Sequence, residues 1–130
     1  MSAHAHEAVV CSVLQAIDRQ DLDALKVHPG LYETVQHMPS LWASFPDAYH
    51  TVEQQIAAGD VVATRATVRG THQGAFMGVA PTGSAVEFMV LMMDEVVDDK
   101  IVQHFAVPDV FTLLVTLGGL PAPAPAPRSA

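Results

Sequence analysis

Cysteine is nearly absent. Cys11 stands alone in 130 residues, which excludes an internal disulfide and any cysteine-rich zinc site. It falls on the apolar positions of a helical pattern and reads as core packing. Basic residues are also few, six Lys and Arg against fourteen Asp and Glu, for a net charge of −8. That balance argues against nucleic acid and anionic membrane surfaces as partners. The acidic residues are scattered and define no acidic patch. No apolar run approaches the roughly 20 residues of a membrane span. The amino terminus, M-S-A-H-A-H-E, has no basic segment leading into an apolar one, so no signal peptide and a cytoplasmic location are expected. Nucleophile elbow, phosphate loop and dinucleotide fingerprint are all missing. His28, His37 and His50 share no metal-ligand spacing, so no metal site is expected.

What remains is half hydrophobic and only 15% charged, a composition that excludes global disorder. The length suits one domain with a real core. Val9, Val10, Val13, Leu14 and Ile17 recur at helical spacing and predict a first helix over about 3–18. His4 and His6, near its start, are expected to be solvated. D-L-D-A-L-K from Asp21 predicts a short helical turn, and His28-Pro29-Gly30 breaks the chain. Leu31, Val35, Met38, Leu41, Trp42 and Phe45 mark a further amphipathic helix. Pro39 inside it predicts a kink, or a new start at Ser40.

The apolar period then changes to two. Strands are expected over 51–58, 61–71, 84–97 and from Ile101, joined by turns at Gly59-Asp60 and Asp98-Asp99. A glycine-rich connection, from His72-Gln73-Gly74 to Pro81-Thr82-Gly83, separates the second strand from the third. Leu113–Leu120, with Gly118-Gly119, predicts a short terminal helix and its cap. A single domain over 1–120 is followed by an alternating Pro/Ala tail, 121–130, expected to be extended and disordered. Helices first and antiparallel hairpins after them mean an α+β fold, with the helices on one face of a curved antiparallel sheet. Such a sheet leaves a cone-shaped pocket beneath the helices.

The stretch K-I-V-Q-H-F-A-V-P-D (Lys100–Asp109) organises the rest. Both of its alternating rows are mostly apolar, which predicts a strand covered on both faces. Pro108 ends the pairing, and Asp109 follows at the mouth of whatever the sheet encloses. Asp109 is then either a working carboxylate or the N-cap of a helix starting near Val110. As a base it needs burial to raise its pKa. Asp94 and Glu95 fall on opposite faces of their strand, so one of them reaches the pocket. Met77, Met89, Met92 and Met93 offer a soft lining for a flat apolar ligand, or a sheet face buried against another subunit.

Several stretches carry a resemblance: F-P-D (Phe45–Asp47), T-V-E (Thr51–Glu53), A-G-D (Ala58–Asp60) and G-T-H-Q-G-A-F-M-G-V-A-P-T-G (Gly70–Gly83). K-I-V-Q-H-F-A-V-P-D and L-L-V-T-L-G (Leu113–Gly118) complete it. Together they resemble the SnoaL-like polyketide cyclases and ester cyclases of the nuclear-transport-factor-2-like superfamily. The resemblance implies a cone-shaped α+β barrel with a deep apolar pocket, usually dimeric or larger. It also implies an intramolecular ring closure by acid/base catalysis without metal or organic cofactor. Asp109 matches the aspartate of the family's H-W-x-x-x-D pattern and His104 its histidine, which makes these two the expected catalytic pair. His104 either binds a substrate carbonyl, holds Asp109, or is satisfied by a backbone partner. His72, Phe76, Met77, Met92, Asp94, Phe105 and Trp42 are the expected substrate contacts. Phe105 stands where the family has Trp, and the connection at Lys26–Gly30 is shorter than in relatives.

Three functional classes follow. The first is a cyclase of a polyketide-like or other secondary-metabolite substrate. The second uses the same pocket as an isomerase, or with paired carboxylates as an epoxide hydrolase. The third is a non-catalytic small-molecule-binding or dimerisation module, which a filled pocket would favour. An apolar small molecule is the expected ligand and a homodimer through sheet faces the expected assembly.

Overall fold

The computed structural model describes residues 3–124. Of the Pro/Ala tail, residues 125–130 lie outside the described residues. The chain runs α1 (Ala3–Asp18), α2 (Leu22–Lys26), a 3₁₀ turn (Pro29–Leu31) and α3 (Tyr32–Ser44). It continues with β1 (Tyr49–Ala58), β2 (Val61–Thr71), β3 (Ala85–Val97), β4 (Lys100–Pro108) and α4 (Val110–Leu117). The strands form one antiparallel sheet in the order β1-β2-β3-β4. This is the expected α+β architecture of helices followed by a curved antiparallel sheet.

Register follows from alternation. In β2 the buried row is Val62, Thr64, Ala66 and Val68, and in β3 it is Val86, Val90, Met92, Asp94 and Val96. Val10, Val13, Leu14, Ala16 and Ile17 of α1 meet that face, with Leu25, Leu31 and Ile101 sealing one end. Each of these larger side chains contributes about 1.5–3 kcal/mol by leaving water. A second cluster, Phe45, Val86, Leu113 and Leu117, fixes α4 across the other end of the sheet. Asp98 and Asp99 both take positive φ (51° and 61°), the backbone of the tight hairpin expected there.

Four details depart from the sequence reading. Pro39 does not restart α3, which runs unbroken from Tyr32 to Ser44. Proline removes one helical hydrogen bond, but Val35, Met38 and Trp42 on either side of it all pack on the core and hold the helix through it. His6 is buried, and its Nδ1 lies 3.0 Å from the Gly59 carbonyl, so it ties α1 to the first hairpin instead of standing in solvent. The terminal helix begins three residues early, because Asp109 caps it at Val110. Finally, β4 is a sheet edge with a bare outer row: Phe105 is 64% and Val107 70% exposed. The pattern of two apolar rows records a covered strand, and within one chain only the inner row is covered.

Candidate active site

Between α1, α3, α4 and the inner sheet face lies a cavity of about 930 Å³. This is within the roughly 300–1,000 Å³ of small-molecule sites, so the filled pocket that favours a purely structural module is not what the fold encloses. Its walls are mostly apolar: Leu14 and Ile17 from α1, Met38, Leu41 and Trp42 from α3, Phe88, Val90 and Met92 from β3. Phe76 and Met77 of the glycine-rich connection, and Phe105 of β4, complete the rim. Phe76 is fixed by a T-shaped contact with Phe45, ring centroids 5.3 Å apart. Thus Trp42, Phe76, Met77 and Met92 share the cavity wall, and Phe105, whose ring stands on the outer sheet face, reaches only its edge.

Tyr32, Glu33, Thr34 and His37 of α3 and Gln103 of β4 bring polar groups to this space, and in two further places a histidine sits on a carboxylate. On β4, His104 lines the cavity, and directly opposite it in register on β3 is Asp94. Alternation decides that Asp94, not Glu95, faces inward, and Asp94 is only 1% exposed. His104 Nδ1 sits 2.5 Å from Asp94 Oδ1. A carboxylate can only accept, so Nδ1 carries the proton and Nε2 is left as the ring's free nitrogen. The other carboxylate oxygen, Asp94 Oδ2, is buried and makes no hydrogen bond.

The second place was not legible in the sequence. Asp18 ends α1 and His50 opens β1, and both line the cavity. His50 Nδ1 lies 2.7 Å from Asp18 Oδ1, and the His50 backbone N–H donates to both carboxylate oxygens at 3.2 and 3.1 Å. The two residues are 32 apart in the chain, and no local motif joins them. The helical side supplies a further polar feature. Trp42 Nε1 is buried without a hydrogen-bond partner on a residue of the cavity wall.

Asp109 and His72 stand elsewhere. Asp109 Oδ1 accepts the Thr112 N–H at 3.1 Å and Oδ2 the Thr112 hydroxyl at 2.6 Å, a full N-cap for α4. Pro108 and Val110 line the cavity, and Asp109 between them does not. Its carboxyl is held below the usual carboxylate range, chiefly by the Thr112 hydroxyl and then by the Thr112 N–H. A lowered pKa is the opposite of the raised one that a carboxylate base needs. No second carboxylate faces Asp109 in its hydrogen bonds, and Asp18 and Asp94 are each engaged by a histidine. His72 is fully buried behind Phe45, ring centroids 5.6 Å apart, and does not line the cavity. Its Nδ1 accepts the Thr82 N–H at 3.2 Å, so it pins the two ends of the glycine-rich connection together.

Comparison with known proteins agrees with this architecture. The family model of the SnoaL-like polyketide cyclases matches residues 5–117. AclR from Streptomyces galilaeus, a proposed hydroxylase, is similar at 34% identity and a TM-score of 0.85, over 95% of this chain and 87% of that one. IdmH from Streptomyces antibioticus, a proposed polyketide cyclase, is 31% identical with a TM-score of 0.75, over 87% of this chain and 98% of its own. TsrD from Streptomyces laurentii shares the fold at 18% identity and a TM-score of 0.82, over 92% of this chain and 99% of its own. No curated protein matches the chain in sequence. With the family model spanning nearly all of the folded chain, this protein belongs to the SnoaL-like polyketide cyclase family.

Proposed function

We propose that the protein is a cyclase that closes a ring within a polyketide-like substrate, with His104 as the acid–base group and Asp94 as its support. The observation that carries this reading is a histidine on the wall of an apolar, ligand-sized cavity, backed by a buried carboxylate. Histidine is the side chain suited to taking and returning protons near neutral pH. His104 Nε2 takes a proton from a carbon flanked by two carbonyls, which is acidic enough for so mild a base. The enolate carbon attacks a carbonyl carbon of the same molecule and forms the new C–C bond. The resulting alkoxide takes the proton back from the imidazolium, so the sum is an isomerisation that consumes nothing. Asp94 holds the ring in one tautomer and stabilises its cation. The apolar walls keep water from quenching the enolate.

The test uses a linear poly-β-ketone ester as substrate. His104→Gln keeps a polar side chain on the wall and removes the base, and turnover should fall by roughly 10²–10⁴-fold. Unchanged turnover ends the assignment. The similarity to AclR favours a second reading, in which the same enolate carbon attacks a peroxide oxygen, the C–O bond forming as the O–O bond breaks and hydroxide leaves. Mass spectrometry separates the two, since ring closure leaves the mass unchanged or lowers it by one water, and hydroxylation adds one oxygen. For assembly, we propose a homodimer built on the outer sheet face, where Phe105 and Val107 stand bare.

A further inference from the structure

The cavity holds a second histidine–carboxylate pair that the ring closure above does not use. Asp18 and His50 both line it, and Asp18 is already held by the His50 backbone N–H, so the pair is rigid before any ligand arrives. Its position relative to His104 can be read from the sheet register. His50 pairs with Val68, and Val68 with Phe88, so His50 lies at the level of Phe88 on β3. His104 lies at the level of Asp94. Six residues of β3 separate these levels, roughly 20 Å along a strand at about 3.4 Å per residue. The two histidines are also on opposite edge strands of the sheet. Even with both side chains reaching inward, they do not meet on one reacting atom.

Between the two levels the inward residues of β3 are Phe88, Val90 and Met92, and all three line the cavity. Leu14 and Ile17 of α1 cover them. On the sheet wall, the two histidines are therefore separated by an apolar stretch, while Glu33, Thr34 and His37 line the cavity from α3. We propose that Asp18–His50 is the anchoring end of the site. It binds an enol, phenol or carbonyl oxygen at the far end of an elongated, flat, apolar molecule whose near end reacts at His104. This rests on the acid–base reading above and adds to it the pair that fixes which way round the substrate lies. His50 Nε2, free while Nδ1 is held by Asp18, is the atom that makes the contact. His50 is thus a binding and orienting group, not the base.

The test uses two three-ring probes, 2,6-dihydroxyanthraquinone, with a hydroxyl at each end, and 2-hydroxyanthraquinone, with one. Binding is read by quenching of Trp42, the protein's single tryptophan and a cavity residue. The wild type should prefer the two-ended probe by roughly tenfold, the worth of one hydrogen bond to a pre-oriented pair. His50→Asn keeps a donor to Asp18 in place of Nδ1 and removes Nε2. It should bind both probes equally while its melting temperature stays near that of the wild type, and His50→Gln checks the same point should the Asn variant fold poorly. Equal binding of the two probes by the wild type, or no binding of the two-ended probe, overturns the proposal, as does a preference that survives in both variants. Turnover of the poly-β-ketone ester by the His104→Gln variant is a separate readout. Its persistence removes the acid–base reading, and loss of the probe preference in the His50 variants alone still stands as an anchoring site.

Discussion

At the scale of single residues, three carboxylate or imidazole groups do different work because their surroundings differ. Asp94 is buried beside one histidine with one oxygen unpartnered. Asp94→Asn keeps the size but allows the amide to donate to Nδ1 and so present the other tautomer to the cavity. Turnover should fall by at least roughly tenfold, short of the loss for His104→Gln, with substrate affinity little changed; equal turnover in the two proteins removes the supporting role. Asp109 is a helix cap in solvent, so Asp109→Asn should leave stability and turnover near wild type, and Asp109→Ala should lower the melting temperature alone. A collapse of turnover in the Asn variant at unchanged stability would return the proton-transfer role to Asp109. His28 offers a pH signature. Its Nδ1 accepts the Ile101 N–H at 3.0 Å, and its pKa is lowered by burial and then by Lys100, against a smaller opposing pull from Asp94. The folded state therefore resists protonation more than the unfolded chain does. Stability should fall as the pH drops below the ordinary histidine value of about 6.5, and stop falling below the depressed folded value. His28→Asn, which keeps an acceptor near Nδ1, should flatten that slope in denaturant titrations from pH 7 to 5.

At the scale of elements, contact across sequence distance matters more than local pattern. Gly30 shows this in the short connection between α2 and α3. A Cβ there would stand 2.6 Å from the Val102 carbonyl carbon and 2.7 Å from the Gln103 nitrogen, so the 3₁₀ turn lies directly on β4. The compact connection thus closes onto β4 at its last residue, and Gly30 itself lines the cavity. Gly30→Ala should push β4 outward, cost about 1–3 kcal/mol by overpacking, and lower turnover by displacing His104 two residues from Val102. Denaturant unfolding and kinetics on the same protein check both effects, and a stable, fully active variant would show that the turn yields. The same distinction explains what the sequence made legible. The strands of β2 and β3 could be read from alternation, and α1 from its apolar stripe, because those signals are local. The G-T-H motif and the H-F-A-V-P-D stretch named residues that the fold separates. His72 went to the core and Asp109 to a cap, and the inward partner of His104 became visible only when β3 and β4 were in register. Asp18–His50 needed the end of one element and the start of another to meet, and no pattern within either reports that.

At the scale of the whole molecule, the outer sheet face is divided. One end carries polar pairs: Arg69 Nε lies 2.7 Å from Glu87 Oε1, and Thr67 donates to Glu53 at 2.9 Å. At the other end, Phe105, Met93, Ala63 and Ile56 are successive register partners across all four strands. Phe105, Met93 and Ile56 are more than half exposed, as are Leu91 and Val107 beside them. A continuous apolar row of this kind suits the homodimer proposed above. With a net charge of −8, a distributed acidic surface opposes random self-association, so pairing should be confined to this neutral end. Two copies related by a two-fold axis bring the same row against itself, which is the self-complementary geometry of a symmetric dimer. The protein should sediment as a dimer at micromolar concentration. Leu91→Glu or Met93→Glu places a carboxylate opposite its own image and should give a monomer whose cavity still binds 2,6-dihydroxyanthraquinone, since neither side chain faces inward. A wild type that sediments as a monomer at that concentration would leave the exposed row without an occupant. Dimerisation unaffected by either glutamate would place the interface on another face.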